Sequence, residues 1–224
     1  MFNQYSFFFL TSLGLTIFIV GFLIGGLTKS RIRYSLRYRL RIRQNQGEAS
    51  VRKAIVFNFK PPNFHLLNNI TVPFQDGTTQ IDHILVSTKG IFVIETKNYS
   101  GWIFGNEKSA QWMQVIYRVK NRFQNPIRQN YKHIRAIQNL LDFLPKEQIH
   151  SIVVFTGSAV FKTPVPKGVV YLDRLVNYLN SFQDDVISFN RLEFCVGRVE
   201  CRRYEVTERT DLQHHAYLSK KFGE

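Results

Sequence analysis

From Phe7 to Leu27 the chain reads FFFLTSLGLTIFIVGFLIGGL, 21 residues without a charge. As a helix rising about 1.5 Å per residue, this run spans a hydrocarbon core of roughly 30 Å. A helix in a water-soluble core would show a polar face, and here only Thr11, Ser12 and Thr16 are even weakly polar. A secretory signal fits poorly. No Lys or Arg precedes the run, and no small-x-small cleavage pattern stands before Lys29. Basic residues then follow on one flank only: Lys29, Arg31, Arg33, Arg37, Arg39, Arg41 and Arg43. That asymmetry predicts a single-pass membrane protein with its short N-terminus outside and the remainder cytoplasmic. Gly21-x-x-x-Gly25 offers a close-approach surface for a homodimer through the membrane helix.

The formal net charge is +14 over 224 residues. Nine of the 30 Lys/Arg residues, but only one acid (Glu48), fall within residues 29–53. Such an excess points to a polyanionic partner, either nucleic acid or an anionic leaflet. For residues 29–43, the position beside the apolar run favours anionic lipid headgroups, with a nucleic-acid-binding arm as the alternative. Cys195 and Cys201 are the only cysteines, too few for a disulfide framework or a zinc set, and they place the folded part on the reducing side. An apolar fraction of 44% excludes wholesale disorder.

A globular pattern begins near residue 46. Gly47-Glu48 opens a helix expected to reach Phe57, with Val51, Ala54 and Ile55 on one face, and Lys60-Pro61-Pro62 breaks it. Strands are expected over 65–72, 80–87 and 91–97, then a hairpin of 102–104 and 112–117 around Gly105-Asn106. Asn125 as N-cap with Pro126 at the first helical position starts a second helix, whose apolar stripe runs to Leu144 before Pro145. Strands at 151–156 and 169–172 and a helix at 173–181 follow. The order helix, three strands, helix, strand describes an α/β sandwich. The chain thus divides into a membrane helix (1–28), a basic juxtamembrane segment (29–45), a folded domain (46–175) and a C-terminal extension (176–224) of unassigned role. No Walker or dinucleotide glycine motif and no G-x-S-x-G occurs.

The chemistry concentrates on two strands, QIDHILVS and IFVIETK. Glu95 and Lys97 are two apart and share a face. If Thr88-Lys89 is a two-residue turn, Ser87 faces Gly90 and, counting back, Asp82 faces Glu95. A three-residue loop would shift the register by one and break this arrangement. Two opposed carboxylates repel unless a cation sits between them, and a divalent metal with Lys97 beside it meets that need. The plain alternative is a solvated E-x-K pair.

Asp82 followed by Glu95-Thr96-Lys97 resembles the D…(D/E)-x-K signature of the PD-(D/E)XK nuclease superfamily, with Ile81 where the name has proline. More specifically, residues 47–144 resemble the nuclease-related domain (NERD). The matching pieces are Gly47-Glu48, QIDHILVSTKGIFVIETKNYSG, Trp112 and Asn125-Pro126-Ile127-Arg128-Gln129. The resemblance implies the αβββαβ core of that superfamily and metal-dependent hydrolysis of DNA or RNA. It implies Asp82, Glu95 and the Thr96 carbonyl as ligands of Mg²⁺ (or Mn²⁺), and Glu48 as a further ligand or water-orienting group. Lys97 would stabilise developing charge, and Gln129 would approach the site or the phosphate. A non-catalytic nucleic-acid-binding or scaffold protein on the same fold is the alternative. His83 is expected to be structural; His133, at i+4 from Gln129 on the helix, either lies near the site or is a surface residue, and Trp112 serves hairpin packing rather than base stacking. Tyr99, Arg118, Lys120 and Arg122 form either a phosphate-binding surface or a solvated hairpin edge.

Overall fold

Val51, Ile55 and Phe59 recur at every fourth residue, which puts them on one side of a helix. In the computed structural model, which describes residues 46–205, helix α1 covers residues 46–58 and buries that side. The membrane run 7–27 with its glycine pair and the basic segment 29–43 lie outside the described residues. Among the described residues, no helix is long and apolar enough to cross a membrane.

Strands β1 (Phe64–Phe74), β2 (Gly77–Ser87) and β3 (Gly90–Lys97) form an antiparallel meander. The turn between β2 and β3 has two residues, and Ser87 pairs with Gly90. Gly90 sits at φ 134°, where a Cβ would meet the His150 ring at 2.9 Å, so glycine suits this corner. After the second helix, β7 (Ile149–Phe155) returns parallel to β3, and β9 (Val169–Tyr171) joins parallel to β7. The main sheet therefore runs β1-β2-β3-β7-β9. It is largely apolar on both faces, as expected for a sheet covered on two sides.

Alternation along β2 and β3 sorts those faces. Leu85, Phe92 and Ile94 pack with α1 and with α3 (Leu172–Asn180). Ile84, Val86, Ile91 and Val93 pack with α2 (Pro126–Leu140) and α4 (Phe189–Arg202). A second sheet, ordered β6-β5-β4-β8, is built from β4 (Gly101–Phe104), β5 (Gln111–Ile116), β6 (Val119–Gln124) and β8 (Ala159–Phe161). Its inner face buries Ile103 and Trp112 against Val153 and Phe155.

Several expectations need correction. The second helix ends at Leu140 rather than Leu144, with Leu141 as its C-cap and a turn before Pro145. The connection after β4 spans 105–110, and β5 turns back at Tyr117-Arg118 into β6, a polar strand without an apolar signature. The region beyond Asp184, unassigned from sequence, carries α4, whose Leu192, Cys195 and Val199 are fully buried in the core. Trp112 is packed, as expected, with its Nε1–H donating to the Asn106 carbonyl at 2.8 Å.

Candidate active site

β2 and β3 separate where the carboxylates stand. Their ladder runs from Ser87–Gly90 to His83–Ile94 and ends there. On the other side of β2, the β1 ladder passes from Asn68–His83 to Ile70–Ile81, across Asn69 in the left-handed region at φ 51°. Continuing the β2–β3 register puts Asp82 across from Glu95, as the two-residue turn requires. The Asp82 carboxylate fills the place of the next rung: the Thr96 N–H donates to its Oδ2 at 2.7 Å. The parallel ladder frees that N–H. The Thr156 N–H donates to the Lys97 carbonyl at 3.0 Å, so the alternate residue, Thr96, turns its backbone groups away from β7 and towards β2. The Thr96 carbonyl faces the same side.

Glu95 follows Val93 onto the α2 face and is 1% exposed. Lys97 Nζ stands 2.7 Å from its Oε1, and His133 Nε2 stands 3.2 Å from its Oε2. The Lys97 contact is an ion pair outside hydrogen-bond alignment, so Oε1 is buried without an aligned donor. Lys97 Nζ donates instead to Gln129 Oε1 at 2.9 Å. His133 Nδ1 lies 2.8 Å from Thr79 Oγ1. With the Thr79 hydroxyl donating there, the ring turns its Nε2–H to Glu95.

Gln129 and His133 are one turn apart on α2, and the helix is pinned in three ways. Asn125 Oδ1 accepts from the Ile127 N–H at 2.9 Å while its Nδ2 donates to the Ser109 carbonyl at 2.7 Å, tying the cap to the β4–β5 connection. Pro126 sets the first turn. Asn130, fully buried, donates to the Val93 carbonyl at 2.9 Å and to Ser151 Oγ at 2.8 Å, bolting the helix across β3 and β7.

Glu48 comes from the opposite layer. A Cβ on Gly47 would meet Thr156 Oγ1 at 2.7 Å and Asn98 Cβ at 2.8 Å, so only glycine lets the start of α1 press against the ends of β3 and β7. That contact carries Glu48 to the carboxylates. Burial and then the Glu95 charge raise its pKa, with Lys97 opposing. Asp82 is raised well above the usual carboxylate range by burial, then by Glu95 and Glu48, against the Thr96 N–H and Lys97. For Glu95, burial pushes upward but Lys97 and then His133 outweigh it, leaving a pKa of about 2. For Lys97, burial pulls downward and the Glu95 charge more than reverses it, so the ammonium is retained.

The structure thus brings together Asp82, Glu95, Thr96, Lys97, Glu48 and Gln129. Of the two positions open to His133 it also selects the one near the site: the ring is 5% exposed and bonded to Glu95, not a surface histidine. Sequence reasoning missed Thr79 and Asn130 as supports; the spacing of Gln129 and His133 by one helical turn was the available signal for the histidine. His83 is structural, with Nδ1 2.7 Å from Asn68 Oδ1 and a pKa lowered by burial to about 4. Tyr99 does not share a surface with Lys120 and Arg122. Its ring packs inward on Phe123 at 4.7 Å, while both cations are exposed on β6.

Among the described residues, no three His, Cys, Asp or Glu side chains gather closely enough to enclose a metal on their own. The donors that do converge are oxygens: Asp82, Glu95 and the Thr96 carbonyl. Magnesium is bound through one or two carboxylates and keeps several waters, so this set fits a hard dication.

The family model described as "Nuclease-related domain" (NERD) matches residues 43–156. An uncharacterized protein of Bacillus anthracis is 35% identical over 188 residues, which cover 79% of this chain and 84% of that protein. No solved structure matches. The matched span contains every residue of the Asp82–Glu95–Lys97 cluster together with Glu48 and Gln129, and the chain belongs to the nuclease-related domain family.

Proposed function

We propose that this protein is a membrane-anchored, divalent-metal-dependent phosphodiesterase acting on DNA or RNA at the cytoplasmic face. The observation that carries the reading is the meeting of Asp82 and Glu95 where two strands part, with Lys97 fixed between Glu95 and Gln129. Asp82, Glu95 and the Thr96 carbonyl would hold Mg²⁺ or Mn²⁺. When bound, the ion lowers the pKa of water and offsets charge at phosphorus.

The chain's own residues divide the remaining work. His133, held by Thr79, orients the Glu95 carboxylate from its Oε2 side. Gln129 holds the Lys97 ammonium in place, so a fixed cation faces the non-bridging oxygens as charge builds on them. Glu48, with its raised pKa, takes the proton of the attacking water at its carboxylate oxygen.

A second reading is a non-catalytic nucleic-acid-binding platform at the membrane. It is favoured by the fact that Glu95 already has Lys97 and His133 on its two oxygens. Cleavage of end-labelled single-stranded and duplex oligonucleotides by the full chain, in Mg²⁺ or Mn²⁺ and in EDTA, separates the two. The hydrolase reading expects metal-dependent cleavage that falls by about 10²–10³ in Asp82→Ala and in Lys97→Ala. No cleavage by the wild type, or cleavage by both variants equal to that of the wild type, overturns it. Membrane placement rests on the uncharged run 7–27. Deleting that run is expected to move the protein into the soluble fraction, and retention in the membrane pellet would contradict the placement.

A further inference from the structure

The second sheet has an outer face that the active-site chemistry does not use. Strand alternation turns Trp112 and Ile103 inward and the residues between them outward. The register aligns one outward row as Lys120–Val115–Trp102–Val160, and beside it a row of Arg122–Met113–Phe104. Trp102 is 50% exposed and Val160 49%, an unusual concentration of apolar surface on a solvent-facing sheet. Cations border the patch on both sides. Lys120 and Arg122 line the β6 edge, and Lys162 at the β8 edge lies over the Trp102 ring, 4.7 Å from its centroid. The four strands contain no Asp or Glu.

We propose that this face binds single-stranded nucleic acid, with bases stacking on Trp102 and its apolar neighbours and phosphates paired with Lys120, Arg122 and Lys162. An exposed aromatic between basic edges is the arrangement that tracks a single strand, since every base has a stackable face and every linkage a negative charge. A duplex offers no free base face to Trp102. The choice of nucleic acid over another polyanion rests on the nuclease reading above. The chain connects the two sites directly: β4 begins four residues after Lys97, and β6 runs into the Asn125 cap that places Gln129.

Trp102 and Trp112 are the only tryptophans, and Trp112 is 1% exposed, so quenching of emission by a base reports Trp102. The experiment titrates the full chain in EDTA with a fluorescein-labelled oligo-dT, the matching duplex and phosphatidylserine vesicles. It follows oligonucleotide anisotropy and tryptophan emission. Oligo-dT is expected to quench emission and to bind more tightly than duplex. Trp102→Ala is expected to weaken oligo-dT binding about tenfold. Trp102→Phe, which keeps a ring, should retain most affinity while losing the quench. Lys120→Ala/Arg122→Ala should reduce the salt slope by about 1.4. Unchanged affinity in Trp102→Ala, absence of quenching, or stronger quenching by vesicles than by oligo-dT would each overturn the proposal, the last in favour of a lipid surface. Oligo-dT binding of this pattern without cleavage in any metal would uphold this face and sink the hydrolase. Metal-dependent cleavage with Trp102→Ala binding unaltered would do the reverse.

Discussion

Removing the Lys97 ammonium while keeping its volume isolates the charge that Glu95 depends on. Glu95 is 1% exposed, and its Oε1 has Lys97 Nζ at 2.7 Å and no aligned hydrogen-bond donor. In Lys97→Met the Glu95 carboxylate keeps only His133, at 3.2 Å. Breaking a buried pair by deleting one partner costs about 3–5 kcal/mol, because the other charge is left uncompensated. Lys97 itself is 13% exposed, and His133 retains part of the compensation, so about 3 kcal/mol is expected. For a domain of this size that lowers the melting temperature by about 6–12 °C. Pairing it with Glu95→Gln removes the stranded charge and keeps an acceptor for His133, so the double variant should recover about 2 kcal/mol of the loss. The assay is thermal unfolding of the full chain in EDTA, followed by tryptophan emission, across the four proteins of the cycle. A loss below about 1 kcal/mol in Lys97→Met, or strictly additive losses in the double variant, would refute the reasoning.

Three further outcomes follow from the same geometry. Asp82 has a raised pKa, so its contribution is favourable below the ordinary carboxylate range and is lost as pH rises through the raised value, whereas the depressed Glu95 contributes above that range and loses its contribution as pH falls through about 2. At neutral pH without metal, Asp82→Asn should therefore raise the melting temperature and abolish stabilisation by Mg²⁺ or Mn²⁺; a drop in EDTA with metal stabilisation intact would contradict this. Gly47→Ala should destabilise by about 1–3 kcal/mol despite alanine's helix preference, because its Cβ meets Thr156 and Asn98 under 3 Å, and chemical denaturation showing no loss would contradict the packing argument. Asn130→Ala should cost about 1–3 kcal/mol by removing a buried donor from the Val93 carbonyl and the Ser151 hydroxyl, measured by the same denaturation, with an effect under about 0.5 kcal/mol as the contrary result.

Much of the site was legible because its parts are local in sequence. A two-residue turn fixes the pairing register, and the register alone opposes Asp82 to Glu95. The E-x-K spacing fixes a shared face, and Asn125-Pro126 fixes a helix start. What escaped depends on layers meeting. The burial of His133 comes from α2 lying across Glu95 and Thr79, a contact between elements that no period in the helix encodes. Asn130 sits on the apolar side of α2 as a polar residue, and nothing in its neighbours names the Val93 carbonyl as its acceptor. Strand β6, with the sequence VKNRFQ, lacks an apolar alternation because, of the inward-turned Val119, Asn121 and Phe123, only Phe123 is partly buried. Helix α4 went unassigned although Leu192, Cys195, Val196 and Val199 keep the i, i+3, i+4, i+7 spacing of an apolar face, with Glu193, Arg198 and Glu200 off that stripe.

The central claim is that Asp82 and Glu95 hold a divalent ion beside Lys97. Isothermal titration of Mn²⁺ into the metal-free full chain, run beside Asp82→Ala, tests it most directly. The account predicts saturable binding by the wild type that is lost in Asp82→Ala. Absence of saturable heat in the wild type, or binding unchanged in the variant, would contradict it.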